Sequence, residues 1–197
     1  MKSWVAELRR SFLAVAALAV ILCGLYPLAS WVLAQALFPA KANGSLLVRD
    51  GAVVGSGLIG QRFSGPGYFH SRPSAAGQGY DATASAGSNL GPLSRDLAET
   101  VRRRVAEYRA ENGLAAATPV PADAVTASAS GLDPHISPEN ARLQAGRVAR
   151  TRGLAESDVL ALVAASTEGR TLGVLGEPRV NVLELNLALE RVARAGR

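Results

Sequence analysis

Ser128-Ala129-Ser130-Gly131-Leu132-Asp133-Pro134-His135-Ile136-Ser137 sets a serine, an aspartate and a histidine within a few positions of one another. Those residue types could serve as nucleophile, orienter and base in acyl transfer, provided that the fold converges them in space. On that reading Ser130, Asp133 and His135 belong to a membrane-anchored periplasmic hydrolase, and substituting Ser130 or His135 abolishes turnover. The same residues also have a structural use. Asp133-Pro134 makes a turn, Ser137-Pro138 starts a helix, and the side chains of Asp133 and His135 can lock that turn on backbone groups. No Gly-x-Ser-x-Gly elbow is present, and the structural use carries more weight.

Other chemistries find less support. Neither lysine, Lys2 or Lys41, follows a glycine, so no lysine-bearing phosphate loop exists. Gly55, Gly57 and Gly60 fit Gly-x-Gly-x-x-Gly after a strand, but Gly65-Pro66-Gly67 follows where a helix would have to open. His70 and His135 lie far apart, and the lone cysteine, Cys23, falls in an apolar segment, which leaves no disulfide and no metal-ligand spacing. The net charge of +5 does not mark a nucleic-acid binder, because the basic residues are not interleaved with stacking aromatics. Arg102-Arg103-Arg104 reads as a solvated helix face, with Glu99 and Glu107 each four positions from Arg103.

The element that positions everything else is N-terminal. No charged residue occurs from Ser11 to Ala40, and Phe12 to Phe38 is apolar apart from Ser30 and Gln35. About twenty such residues cross the roughly 30 Å hydrocarbon core. Pro27 should kink this helix or mark a turn near its end, while Trp4, Tyr26 and Trp31 are candidate anchors in interfacial lipid. Ala34-Gln35-Ala36 would suit a cleaved signal peptide, but the apolar run exceeds the roughly 7–15 residues of such a region. Its length and N-terminal place also argue against a buried core helix. Lys2, Arg9 and Arg10 crowd the N-terminal side, against Lys41 alone on the other. The positive-inside bias therefore gives a cytoplasmic segment 1–10, a transmembrane helix 11–38 and an extracytoplasmic (periplasmic) domain 39–197.

The soluble part reads as a mixed α/β domain of about four helices and a small sheet. Asp50-Gly51 between Leu46–Arg49 and Ala52–Val54 is a hairpin signal. A Gly/Ser/Pro-rich stretch from 55 to 91 carries Tyr68-Phe69-His70 and Tyr80, aromatics that argue for docking rather than a free linker. Pro92 is expected at the first position of a helix with Leu93, Leu97, Val101, Val105 and Tyr108 on one face, closed by Asn112-Gly113. Residues 115–122 form a connector and 124–130 a short strand or extended segment. Ser137 should cap a helix that Gly153 ends, and a third helix is expected over 156–166. The last should start at Asn181, with Glu184 three residues on, and bury Val182, Leu185, Leu189 and Val192.

Five motifs in order resemble the C subunit of the Kdp-type potassium-transporting ATPase. They are Phe69-His70-Ser71-Arg72-Pro73-Ser74-Ala75; Tyr80-Asp81; Gly87-Ser88-Asn89-Leu90-Gly91-Pro92; Ser128 to Ser137; and Gly176-Glu177-Pro178-Arg179-Val180-Asn181-Val182-Leu183 with Leu185-Asn186. Gln144 with Arg147-Val148-Ala149 adds to them, and the likeness covers nearly the whole chain. The resemblance implies a non-catalytic subunit of a bacterial inner-membrane complex that imports potassium at the cost of ATP. The implied partners are a channel-like potassium-translocating subunit, a P-type ATPase subunit and a small single-helix subunit. It also implies a catalytic chaperone that raises the ATP affinity of the pump subunit by sharing the nucleotide, which makes ATP the one implied cofactor. A shared nucleotide and the charge bias demand opposite sides of the membrane for the domain. With no catalytic or metal-binding role to assign, Arg72, Tyr80, Asn89, Ser130, Asp133, His135, Arg147, Arg179 and Asn181 are candidates for partner contact or for locking loops. Guanidinium groups suit the latter because one can satisfy several carbonyls at once.

Overall fold

A long apolar run with no charge must satisfy its backbone internally, and the N-terminal part of the chain is helical almost throughout. The computed structural model describes residues 2–195, which divide into two compact units meeting in sequence at Leu46/Leu47. In the first, α1 (Lys2–Ala19) passes through a π-helical segment, Val20–Leu25, into α2 (Tyr26–Leu37). The 35 residues Ser3–Leu37, with mean hydropathy 2.4, are long and apolar enough to cross a membrane. Pro27 accounts for the π segment. It has no N–H, and its ring would meet the carbonyl one turn back. A wider turn relieves both, and the Tyr26 N–H accordingly donates to the Ile21 carbonyl five residues back. The irregularity expected at the proline thus lies just ahead of it. The single turn α3 (Pro39–Ala42) follows, and the Gln35 and Asn43 amides pair reciprocally at 3.3 and 3.0 Å.

The second unit begins with the hairpin that Asp50-Gly51 signals. Strands β1 (Leu46–Arg49) and β2 (Ala52–Ser56) pair, and both turn residues have positive φ, 50° and 79°, as a type I′ turn requires. A long connection, 57–94, then leads to α4 (Arg95–Asn112). Here two expectations fail. The helix starts at Arg95 with Ser94 as its cap, not at Pro92, and Leu93 is 96% exposed instead of lying on the buried stripe. Ser94 wins because its hydroxyl accepts from the Leu97 N–H at 3.3 Å, a bond that Pro92 cannot supply. Gly113 closes the helix at φ 67°, as expected. Arg103 reaches Glu107 at 3.7 Å across solvent, but Glu99 does not join them. Arg104 departs from the solvated face and donates to the Val125 carbonyl at 3.0 Å.

That carbonyl belongs to α5 (Ala122–Val125), a single turn where extended chain was expected from Ala124. Strand β3 is shorter and later, His135–Ile136, and runs into α6 (Pro138–Arg152). Gly153 at φ 66° ends α6, and α7 (Glu156–Ala165) packs on it. Strands β4 (Thr167–Glu168) and β5 (Arg179–Asn181) and the terminal α8 (Val182–Ala195) complete the domain. The sheet has β5 in the centre, antiparallel to both β3 and β4, with Ile136 and Thr167 each opposite Val180. Four long helices and small sheets make this the mixed α/β domain that the sequence implies.

The core lies between α6, α7, α8 and the sheet. Ala141, Ala145 and Val148 meet Val159 and Val163, while Val180, Leu185 and Leu189 close it from the other side. Phe69, from the long connection, is fully buried among them, so the aromatics do dock this segment. Val192 is 42% exposed, one turn beyond the last core contact of α8.

Ser137 holds the start of α6 in two ways. Its hydroxyl oxygen accepts from the Asn140 N–H at 3.1 Å and donates to Asp123 Oδ1 at 3.0 Å. Ser137→Ala is expected to cost about 1–2 kcal/mol, the usual worth of a cap. Urea pulse proteolysis of the full chain in detergent, read on peptides of α6, measures it.

Candidate functional site

Polar side chains in the second unit gather into two networks, and both grip the connection 57–94. The first surrounds Asp133. Its Oδ1 accepts from the His135 N–H at 3.0 Å, the turn-locking bond expected of Asp-Pro, and lies 3.4 Å from His135 Nδ1. Its Oδ2 accepts from Arg72 Nη1 at 2.9 Å. Burial opposes the charged carboxyl, but the bonds from His135 and the charge of Arg72 outweigh it and hold Asp133 below the usual carboxylate range. Tyr80, in the left-handed region at φ 62°, donates its hydroxyl to the Arg72 carbonyl, and its own N–H donates to Ser74 Oγ at 2.8 Å. Ser74 in turn donates to the Gly131 carbonyl at 2.6 Å. An open pocket of about 460 Å³ borders this cluster, with Arg72, Asp133, His135 and Arg179 on its wall.

Ser130 stays outside the pair that could have served it. Its hydroxyl accepts from the Leu132 N–H at 3.1 Å, its carbonyl accepts from Ala86 N and Ser85 Oγ, and it makes no hydrogen bond to His135. Asp133 and His135 thus keep half of a triad geometry, while Ser130 fastens two loops together. Arg179 forms a cross-strand ion pair with Glu168 at 2.8 Å. Asn181 accepts from the Glu184 N–H at 3.2 Å, capping α8 as expected, and donates to the Gly57 carbonyl at 2.8 Å. Asn89 sits exposed in irregular chain at φ 51°.

The second network is buried, and of the nine candidates it contains only Arg147. That guanidinium, 5% exposed, donates to Asn112 Oδ1 at 3.0 Å, to Gln144 Oε1 at 2.9 Å and to the carbonyls of Pro66 and Tyr68 at 2.5 and 2.9 Å. Gln144 pairs with both main-chain groups of His70, accepting from N–H at 2.7 Å and donating to C=O at 3.1 Å. Asn186 does the same for Phe69, at 2.9 Å each way. Two side-chain amides, one from α6 and one from α8, therefore stand in for the neighbouring strands of an extended segment that has none. Asn140 accepts from the Tyr108 hydroxyl at 2.8 Å and donates to Asp123 at 3.0 Å. Burial pushes the Tyr108 phenol well up, so it remains a donor. Arg152 lies over the Tyr68 ring at 4.5 Å, and Tyr68 donates to Glu190 at 2.6 Å.

Gln144, Asn140, Asn112, Tyr108 and Asn186 were not among the site candidates, although Gln144 and Asn186 stand in motifs of the resemblance. A signal was present. Asn140, Gln144 and Arg147 recur at the same i, i+4, i+7 spacing as the apolar Ala141, Ala145 and Val148 beside them. A polar stripe adjoining the apolar one marks a helix face that buries hydrogen bonds.

Such a constellation defines an α/β domain, preceded in sequence by a helix long and apolar enough to cross a membrane, whose buried polar groups hold its own backbone. The family model described as "KdpC: K+-transporting ATPase, c chain" matches residues 8–191. The potassium-transporting ATPase KdpC subunit of Nitratidesulfovibrio vulgaris is 58% identical over 186 residues, covering 94% of each chain. That of Myxococcus xanthus is 63% identical over 175 residues, 87% of this chain and 82% of its own. The subunit of Koribacter versatilis is 55% identical over 172 residues, 86% and 87% of the two chains. The chain belongs to the KdpC family, the C subunits of potassium-transporting ATPases.

Proposed function

We propose that the chain is a non-catalytic accessory subunit that assembles and stabilises a high-affinity, ATP-driven potassium uptake complex in the bacterial inner membrane. It crosses once, with the N-terminus cytoplasmic and the C-terminal domain periplasmic, as Arg9, Arg10 and Lys2 support through the positive-inside bias. Its partners are the channel-like potassium-translocating subunit, the P-type ATPase subunit and a small single-helix subunit, with lipid around the span and no nucleic acid. The observation that carries this reading is the use to which the polar residues are put. Arg147, Gln144 and Asn186 bond to the main chain of residues 66–70, Arg72 ties the connection to Asp133, and the Ser130 carbonyl accepts from Ser85, which fixes these segments; among the described residues no serine hydroxyl is hydrogen-bonded to the Asp133–His135 pair. Exposed apolar side chains remain for a partner, among them Leu172, Val174 and Leu175 between β4 and β5. The role requires no cofactor of its own. An influence on the ATP affinity of the pump subunit would act at a distance, by favouring one conformation of the assembly.

Affinity purification of the C-terminally tagged chain from mildly solubilised membranes tests the proposal. A channel-like protein and a P-type ATPase should accompany it near one-to-one, and protease should reach the domain in spheroplasts without lysis. Recovery of the chain alone from membranes that hold those proteins would overturn the accessory role. Asp133 and His135 leave a hydrolase as the second reading, so Ser130→Ala is the companion variant. It should leave complex recovery and potassium uptake unchanged.

A further inference from the structure

Between α2 and β1 the chain makes an elbow instead of a free tether. The Gln35 and Asn43 amides pair across it, and Asn43 Nδ2 also donates to the Pro39 carbonyl at 2.7 Å. The Ser45 N–H donates to the Ala40 carbonyl at 2.9 Å, with Gly44 and Ser45 both at positive φ, 87° and 49°. Asn43 is thereby tied to the last turn of α2, and β1 starts at Leu46, three residues later. Three residues reach about 10 Å at most, so β1 begins close to the level of Gln35.

The hairpin that follows has two unlike faces. Strand alternation puts Leu47 and Arg49 on one side of β1 and Leu46 and Val48 on the other. The first side belongs to the domain: Leu47 borders a cleft with Leu187 and Ala188 of α8, and Arg49 pairs with Glu190. The second side is bare. Leu46, Val48 and Val53 are 55, 64 and 61% exposed, and the two-residue turn sets Val53 across from Val48 on the same face. Alternation places no charged residue of either strand on that face.

We infer that, given the membrane crossing proposed for the apolar helix, this outer face lies on the lipid surface with Leu46, Val48 and Val53 in the headgroup layer. At about 1.5 Å per residue the apolar run 12–38 exceeds the roughly 30 Å hydrocarbon core, which leaves Gln35 at headgroup level. The elbow delivers β1 there too. A face so tethered needs little affinity of its own, because the tether keeps the lipid concentration around it high. Depth is limited from two sides. A two-stranded ribbon keeps unpaired backbone groups along its edges, which water satisfies among headgroups and hydrocarbon does not. Asp50, exposed at the turn, carries a charge that stays in water. Lys41, exposed in the elbow, adds a cation within reach of lipid phosphates.

Depth-resolved fluorescence quenching of the full chain in phosphatidylethanolamine–phosphatidylglycerol vesicles tests the contact. One label at a time is attached to native Cys23, or to Val48→Cys or Val53→Cys in a Cys23→Ser background. A headgroup nitroxide should quench the labels at 48 and 53 about twofold or more above a nitroxide deep in the acyl chain, and Cys23 should show the reverse. No quenching at 48 and 53 beside normal quenching at Cys23 overturns the lipid contact and leaves the span intact. Loss at Cys23 as well overturns the span, and the contact with it. In cells that hold the partner subunits, photoreactive benzoylphenylalanine at 48 or 53 should give lipid adducts by mass. An adduct with another protein chain at these positions makes the face a protein contact and overturns the lipid one.

Discussion

Gly131→Ala is expected to destabilise the C-terminal domain by about 2–4 kcal/mol, the larger of two glycine effects that the structure separates. Gly131 stands at φ 68°, where a β-carbon would lie 2.6 Å from Ala76 N and 2.7 Å from the Ala86 carbonyl oxygen. Both are backbone atoms, and neither can move aside alone. Ser74 is bonded to the Gly131 carbonyl, and the Ala86 N–H to the neighbouring Ser130 carbonyl, so the turn is stitched to two stretches of the connection at once. Gly153→Ala is the control. That glycine has nearly the same φ, 66°, with nothing within 4 Å of the added carbon. It should show the conformational cost alone, about 1 kcal/mol. Urea pulse proteolysis of the two variants in detergent compares them directly. Equal losses would mean that close approach of the backbone is not what Gly131 serves.

Arg147→Met should cost about 3–5 kcal/mol, because a guanidinium with four bonds is removed: Asn112 Oδ1 and the Pro66 and Tyr68 carbonyls lose its donors, and Gln144 Oε1 keeps only the His70 N–H. The bonds to Asn112 Oδ1 and Gln144 Oε1 are buried, and those to the carbonyls of Pro66 and Tyr68 part-buried, with no other arginine among the donors to these four. Methionine fills much of the volume, so the loss reports hydrogen bonding more than packing. Arg147→Lys retains the charge but not the planar fork, and it should recover less than half of the deficit. The released segment should be the one around Pro66 to His70, read as earlier cleavage within the connection. If Arg147→Met unfolds at the wild-type urea concentration, the guanidinium does not hold this loop.

These two substitutions also mark where sequence reading stops. Much of the architecture is written locally. The uncharged run from Ser11 to Ala40 dictates a helix long enough to cross a membrane, since no other single-segment structure satisfies its backbone in hydrocarbon. Asp50-Gly51 dictates a hairpin because both residues accept positive φ, and Ser137-Pro138 with Gly153 bounds α6 by the chemistry of helix ends. Each is decided by residues within a turn or two of one another. Where two local signals compete, as Pro92 and Ser94 do, the choice falls to the better hydrogen bond, and the composition does not announce it.

The candidate site divides in the same way. The turn at Asp133 could be foreseen, because its bond to the His135 N–H spans two residues. The clamp of Asn186 on Phe69 spans 117 positions, and those of Gln144 and Arg147 on residues 66–70 span 74 to 81. An asparagine on a helix face carries the same donors and acceptor whether it meets water or a main chain. Its partner is chosen only when α6 and α8 pack against the sheet and leave a slot of the right width for an extended segment. The chain by itself therefore determined the long apolar helix, the hairpin, the ends of α6 and the family likeness. The tertiary structure decided that Arg147, Gln144 and Asn186 bond the main chain of residues 66–70, because that assignment depends on distances between residues far apart in the sequence.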